Sequence, residues 1–499
     1  MADDINLRSR AIKASFWALL ATYTTQAIRI VAMLFVAALL SPDDFGLYSM
    51  ATVAAGFFSI FSSFGLHSAL IWNREDPETA AGTAFCMTIF GAIVTSFLIF
   101  SFSTPLSVFF NEPRLALVLK IIAFEPLVSM FTTIHFIMLS RELYFRSRYL
   151  FGLSSSLAGN FVLILSAYLG MGIWSFVFSS YTSIVVGSAY LLFFSGIKFP
   201  IRFDKKMAYK LLRFGLVAAV NGYLFFLLFN LDYAIVGKIL NTVQLGYYSF
   251  AYRFANVPAN YISQAIVGVA FPVFAMVKHD ADKMLRGYVK GTHWLTLAVM
   301  PAAVVLILFG PSVMDLLYGA KWMPAYNAFR ILCLYGLSEA IIAPVGSLLY
   351  AAGKPSYQMW INVFRVITVV PAAVWAGSRW GFEGVAVAFT AIFLIAGVIS
   401  VWTVKKYFDT TWMNLIKPVF MTAVACLAGG AASLTARAFI PFSGWPSVIS
   451  SVSLFLAAAL LTQYGIDREL RSIVRSGAEI LNYKNITNNL FKKAYRING

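Results

Sequence analysis

Apolar runs long enough to cross a bilayer follow one another along nearly the whole chain, and that succession restricts it to a bundle of membrane helices. Spanning the hydrocarbon takes about 20 mostly apolar residues in a helix. Inside lipid every backbone N–H and C=O must find a partner within the protein, which a helix provides locally. On that criterion spans fall at 12–40, 47–71, 80–103, 116–139, 151–169, 173–195, 213–237, 245–277, 291–310, 325–351, 359–377, 381–402, 416–436 and 445–464. Only a tight turn at Gly170 to Gly172 separates the fifth from the sixth. The expected fold class is an all-α polytopic membrane protein of about fourteen transmembrane helices.

Composition agrees with a chain solvated by lipid. Hydrophobic residues make up 60% and charged residues 12%, where a soluble domain carries about 25% charged residues. Mean hydropathy is +0.78. Cys86, Cys333 and Cys426 each lie in an apolar run with no partner at metal-ligand spacing, so they are expected to be small buried hydrophobes; no metal and no cofactor is expected. The run after the first ten residues is too long for a signal-peptide core and is read as the first membrane helix.

The net charge of +17 does not point to nucleic acid, because no arginine-rich segment interleaves with exposed aromatics. It sorts instead with topology. Four arginines fall inside the spans, and 28 of the other basic residues collect on one side of the membrane against six on the other, namely Arg114, Lys120, Lys238, Lys321, Arg379 and Arg437. That bias places both termini in the cytoplasm. No loop exceeds about twenty residues. The outer loops offer mainly Asp43, Asp44, Glu112, Asp315 and Glu383 for chemistry, and the first two are expected as turn residues after Pro42. An enzyme is therefore not expected. The basic tail carries Ile466, Leu470, Ile473 and Val474 at helical spacing, which suits either the anionic inner leaflet or an ordinary solvated tail.

The chain also repeats itself. Leu40-Ser41-Pro42-Asp43-Asp44-Phe45-Gly46-Leu47-Tyr48-Ser49-Met50-Ala51 recurs 200 residues on as Leu240-Asn241-Thr242-Val243-Gln244-Leu245-Gly246-Tyr247-Tyr248-Ser249-Phe250-Ala251. A weaker echo pairs Gly172-Ile173-Trp174-Ser175 with Gly381-Phe382-Glu383-Gly384. A six-helix period preserves topology, so parallel repeats are expected: a lobe at 1–200, a second at 201–405, two additional helices at 406–465 and a basic cytoplasmic tail at 466–499.

Ionisable groups inside helices mark function by default. Arg29 sits eleven residues from the outer end of its span, about 16 Å deep at 1.5 Å per residue, too deep to snorkel easily. Arg253 lies about 12 Å in and shares a stripe with Asn256, Asn260 and Gln264 at spacings of 3, 4 and 4; Pro258 would loosen the backbone there. These four are expected to line a cavity. Arg330 and Arg365 lie nearer helix ends, where snorkelling competes with function. Glu125, Asp232 and Glu339 could neutralise an arginine, carry a coupling proton or be held protonated by desolvation. His67, His135 and His293 show no ligand spacing among themselves and are expected to be satisfied polar or interfacial groups. Guanidinium groups in a cavity between apolar bundles suit an anionic amphiphile with a phosphate or pyrophosphate head.

At this point the residues carry a resemblance. Arg10-Ala11-Ile12-Lys13 through Trp17, Leu40 to Tyr48, Asp232-Tyr233 with Gly237-Lys238, Leu317-Tyr318-Gly319-Ala320-Lys321-Trp322 and Ala352-Gly353-Lys354-Pro355 resemble, in order and spacing, the Wzx-type polysaccharide flippases. The similarity runs from about residue 8 to 400, within the lipopolysaccharide and exopolysaccharide exporter branch of the multidrug/oligosaccharidyl-lipid/polysaccharide superfamily. It implies flipping of an undecaprenyl-pyrophosphate-linked oligosaccharide across a bacterial inner membrane, with polysaccharide polymerase and export machinery as candidate partners. Ala251-Tyr252-Arg253 with Pro258 and Phe271-Pro272 is similar to the eighth-helix pattern of lipid II flippases, which implies a cavity-lining role for Arg253; Arg29 matches a first-helix cavity arginine only loosely. The second span has no counterpart of those flippases' second-helix arginine. A cation-coupled drug antiporter of the same superfamily is the alternative. No G-x-x-x-x-G-K-[ST] loop occurs, so an ion gradient or the membrane potential is expected to drive the cycle.

Overall fold

A computed structural model describes residues 20, 23–73, 75–141, 144–194, 201–439, 444–467 and 470–472. The Arg10 to Lys13 segment, Trp17, and Ile473 and Val474 of the tail lie outside them. Every regular element among the described residues is helical. Among the described residues, ten helical stretches are long and apolar enough to cross a membrane. Large apolar side chains lie bare on their outer faces, Phe193 at 81% exposure and Leu461 at 72%, the surface of a protein whose solvent is lipid. The chain is an all-α polytopic membrane protein.

Two of the ten stretches are too long for a single crossing. Ala281–Ala351, 71 residues, contains two helices joined by the 3-10 turn Gly319–Ala325. Pro355–Tyr407 is interrupted at Trp380 (φ −123°) and Gly381 (φ +63°), a left-handed conformation that glycine adopts without a Cβ clash.

The chain divides into two compact units, Met1–Phe250 with Thr368–Ala388, and Ala251–Ile367 with Phe389–Gly499. The first begins, among described residues, with α1 (Tyr23–Leu39) and α2 (Pro42–Phe57). Ser41 starts α2 with a capping box: its hydroxyl accepts from the Asp44 N–H, and the Asp44 carboxylate accepts from the Ser41 N–H. The single helix expected over 47–71 is broken. It continues as α3 (Ile60–Ser63) and α4 (Leu66–Trp72), with Phe64 (φ +43°) and Gly65 (φ +67°) left-handed between them. The break lets the backbones of Gly65 and Gly215 touch; a Cβ on Gly65 would land on the Gly215 carbonyl.

Next come α5 (Pro77–Phe109), α6 (Arg114–Ile122) and α7 (Glu125–Arg141). A turn at Ala123–Phe124 falls inside the expected span 116–139, just before Pro126, which has no N–H to continue the helix, yet Arg114–Leu139 remains one stretch long and apolar enough to cross a membrane. The tight turn between α8 (Phe145–Tyr168) and α9 (Trp174–Phe194) is present, with Gly170 and Gly172 at positive φ. Asp204 caps α10 (Lys205–Ile239) by accepting from the Met207 N–H at 2.6 Å. A core of Leu66, Leu70, Ala80, Ala84, Ile134 and Leu211 joins α4, α5, α7 and α10. Small residues let helix backbones approach where lipid removes any hydrophobic advantage of association.

The second unit takes over within α11 (Thr242–Ala255) and continues with α12 (Val257–Met276). The helix expected over 245–277 therefore has a joint at Asn256 (φ −90°, ψ −1°), with Pro258 in the first turn beyond it. There follow α13 (Ala281–Tyr318), α14 (Tyr326–Ala351), α15 (Pro355–Tyr407), α16 (Trp412–Phe439) and α17 (Trp445–Ile466). Helix α13 packs on α14, α16 and α17. Cys426 is buried there with Met300, Phe309 and Phe455; Cys333 is also buried and Cys86 half-buried.

Candidate functional site

Within the first unit the repeated sequence becomes a reciprocal contact. Gly46 of α2 lies against Thr242, and Gly246 of α11 against Pro42, so closely that a Cβ on Gly46 would strike the Thr242 carbonyl and one on Gly246 the Pro42 carbonyl. The partners share the 200-residue offset, since 42 corresponds to 242 and 46 to 246. In the weaker echo, whose glycines are 209 residues apart, each glycine instead faces the motif copy of its own half. Asp44 Oδ1 lies 2.8 Å from where a Cβ of Gly172 would stand, and Gln244 Oε1 lies 3.5 Å from that of Gly381.

Polar groups fasten this contact. The Arg114 guanidinium donates to both oxygens of Asp43, at 2.6 and 3.0 Å, and to both of Glu112, at 2.7 and 3.0 Å. The Thr242 hydroxyl donates to Asp43 Oδ1. Arg114 beside it holds the Asp43 carboxyl below the usual carboxylate range, the Thr242 hydroxyl adding to the effect against partial burial. Asp43 and Asp44 are both expected as turn residues from their place after Pro42. Asp44 does cap the turn, whereas Asp43 reaches residues 71 and 199 positions away. The repeat was the signal that could have found it, because Asp43 lies in the first copy of the motif and Thr242 in the second.

The intramembrane ionisable groups of this unit differ in their surroundings. Asp232 is 1% exposed. Its Oδ2 accepts from the Tyr248 hydroxyl at 2.9 Å, and Oδ1 has no hydrogen-bond partner among the described residues. Glu125 starts α7 half-buried, with Ser180 bonded to it and the Tyr181 phenol nearby. Arg29, on α1, is exposed in this unit.

The second unit holds the other candidates. Arg365 is buried, and its Nη2 approaches Glu339 Oε1 at 3.0 Å, an ion-pair distance without hydrogen-bond alignment. The guanidinium also lies 4.5 Å from the Phe393 ring centre. Phe393 packs edge-on to Tyr335, and Tyr335 against Tyr252, neighbour of Arg253. An aromatic chain therefore links the joint between α11 and α12 to the Arg365–Glu339 pair.

The expected polar stripe divides at that joint. Arg253 is half-buried and Asn256 buried, while Asn260 and Gln264 are exposed in this unit. Asn256 donates from Nδ2 to the Tyr252 carbonyl at 2.8 Å, and its Oδ1 fills the space where Gly336 lacks a side chain. Arg330 is exposed and stacks on Tyr326, 5.5 Å from the ring centre.

The fold is shared with solved membrane transporters, which gives a structural class. It is like that of solved members of the multidrug/oligosaccharidyl-lipid/polysaccharide superfamily. It is similar to the lipid II flippase MurJ in an inward closed conformation, with a TM-score of 0.72 at 14% identity over 91% of this chain and 99% of that one. It is also similar to an inward-facing multidrug resistance MATE family transporter of the MOP superfamily, with a TM-score of 0.63 at 13% identity over 77% and 94%.

Sequence narrows that class. The model of the Polysaccharide biosynthesis protein family matches residues 13–327, more than half of the chain, and the chain belongs to that family. It is 26% identical over 408 residues to the lipopolysaccharide biosynthesis protein WzxC of Escherichia coli (strain K12), covering 81% of this chain and 82% of that protein. The chain is thus a Wzx-like membrane transporter of polysaccharide biosynthesis and not an enzyme.

Proposed function

We propose that this chain flips undecaprenyl-pyrophosphate-linked oligosaccharide repeat units across a bacterial inner membrane by alternating access, for exopolysaccharide or lipopolysaccharide synthesis. The reading counts fourteen crossings: six-helix lobes at 1–200 and 201–405, two further helices at 406–465, and a tail at 466–499. Both termini lie in the cytoplasm, as the distribution of Lys and Arg implies. The observation that carries the reading is the reciprocal contact of Gly46 and Gly246. Two copies of one sequence element meet in a two-fold-like manner at connections assigned to the outer side, and such a contact can part as a unit when that side opens.

In this cycle the diphosphate and glycan head enter from the cytoplasm while the lipid tail stays in the bilayer. Guanidinium groups of Arg29, Arg253, Arg330 and Arg365 bind the diphosphate in pairs of N–H bonds, and Asn256, Asn260 and Gln264 supply polar lining. Glu339 serves as counter-ion to Arg365. Asp232, buried with one hydroxyl donor, and Glu125 are the proton-coupling candidates. The lipopolysaccharide relative and the lipid II flippase likeness support a lipid-linked glycan. A cation-coupled drug antiporter is the second reading, favoured by the buried carboxylate of Asp232 and the likeness to a multidrug transporter.

The test is polymer export by Arg253→Ala and Arg29→Ala in the cell that makes the polymer, with membrane levels followed in parallel. Loss of export with lipid-linked glycan accumulating and protein level unchanged is expected. Wild-type export in both variants would overturn the site, and drug resistance without a glycan phenotype would favour the antiporter.

A further inference from the structure

Arg365 and Glu339 meet inside the second unit, and the details of their contact bear on selectivity. Glu339 lies in the middle of α14 and Arg365 in the first half of α15. A guanidinium buried among membrane helices needs a negative partner, since an uncompensated charge there is costly. Glu339 supplies it, with Oε1 at 3.0 Å from Nη2.

Where that oxygen sits decides what else can bind. A guanidinium offers two forks to an oxyanion, one made by Nε and Nη2 and the other by Nη1 and Nη2. Nη2 belongs to both. A carboxylate beside it therefore repels a second oxyanion from either fork. The Phe393 ring covers the guanidinium, 4.5 Å from its carbon. Phe393 is itself 1% exposed and packed edge-on to Tyr335, with ring centres 4.9 Å apart, so the cation is held in place. The carboxylate is the freer member of the pair: its side chain is 24% exposed against 7% for Arg365. Their contact also lacks hydrogen-bond alignment, and so falls short of the strength of a fork-to-fork pair. An anion that reaches Arg365 must move Glu339 off Nη2.

Displacing one anion by another is a comparison of charge. The phosphodiester head of an ordinary anionic lipid brings a single negative charge, no more than the carboxylate it would replace, and it would leave that carboxylate stranded. A diphosphate brings more charge and enough oxygens to fill a fork. Phosphodiester lipids surround a membrane protein in excess, and a built-in repulsion is the way to refuse them.

We infer that Glu339 is a specificity-determining residue, an internal competitor that withholds Arg365 from phosphodiester lipid heads and yields it to a diphosphate. The inference rests on the reading that Arg365 contacts the diphosphate, and it adds which anions that contact refuses.

The experiment melts the full-length protein in neutral detergent with increasing geranyl diphosphate or short-chain phosphatidylglycerol, and compares the concentrations that half-saturate the rise in Tm. Wild type is expected to prefer the diphosphate. In Glu339→Gln phosphatidylglycerol should bind several-fold more tightly and the preference should fall, and E339Q/R365M should lose that gain. An unchanged preference in Glu339→Gln, or a gain that persists in E339Q/R365M, overturns the inference. Diphosphate binding by Arg365→Met equal to that of wild type removes the Arg365 contact and the inference with it, while the flippase reading is judged separately by polymer export in the Arg253 and Arg29 variants. Wild type alone covers a Glu339→Gln protein that does not fold: geranyl diphosphate should speed the labelling of Glu339 by dicyclohexylcarbodiimide several-fold, read by peptide mass spectrometry, and phosphatidylglycerol should not. Equal labelling with both lipids overturns the inference.

Discussion

Gly46 and Gly246 stand 200 residues apart, and each has its missing side-chain space filled by the carbonyl four residues before its counterpart, that of Thr242 and that of Pro42. Backbone meets backbone there, and no rotamer change can make room for a methyl group. The contact couples two stretches of the chain that are otherwise distant in sequence.

Gly46→Ala and Gly246→Ala should each destabilise the protein by about 1–3 kcal/mol, the range for overpacking a close contact. Because both glycines serve one contact, the double variant should cost less than the two singles combined. Melting of the four purified proteins measures this, and strict additivity would show that the glycines act independently.

Arg365 and Glu339 should behave as a coupled pair. Removing one partner of a buried ion pair costs about 3–5 kcal/mol because the other charge is stranded. Arg365→Met or Glu339→Gln alone should therefore lower the melting temperature more than both together. A double variant worse than either single would mean that the 3.0 Å approach is not an energetic coupling.

The link from Asp43 to Arg114 gives a pH signature outside the membrane core. Its carboxyl is held below the ordinary value of about 3.9. A depressed carboxyl stabilises the fold fully above its unfolded pKa, and that contribution disappears as pH falls through the folded pKa. Since Arg114 is half exposed and Asp43 about one-third exposed, water screens the pair to about 0.2–1 kcal/mol. Wild type should melt above Asp43→Asn at pH 7, and the gap should close below about pH 4. A gap that persists into acid would assign the effect to packing instead.

Asp232→Asn should retain the fold, since the amide oxygen can still accept from the Tyr248 hydroxyl now 2.9 Å from the carboxylate. If Asp232 carries the coupling proton, transport in proteoliposomes should lose its response to an imposed pH gradient. Tyr248→Phe should shift that response without abolishing it. A full gradient response in Asp232→Asn would move the proton to Glu125 or to no residue of this unit.

The legible parts of the chain were those written locally. Span positions follow from runs of apolar residues, and the turn at Gly170 to Gly172 from two glycines in three positions. The interruptions at Phe64–Gly65, Ala123–Phe124 and Asn256 were not legible as breaks, because hydropathy continues through them. At Asn256 even Pro258 suggested only a looser helix, while the joint also answers to packing against Gly336, eighty residues on.

Sequence by itself determined that this chain lives in lipid, that it is built of helices and that it contains an echo of itself, since each is a property of residue order along a single strand. Tertiary structure alone decided that the two copies of the echo touch, that Asp43 leaves its turn for Arg114 and Thr242, and that Arg365 is matched by Glu339. These depend on which distant segments share a volume, and a backbone contact between glycines or a charge pair across helices has no periodic trace in either partner alone.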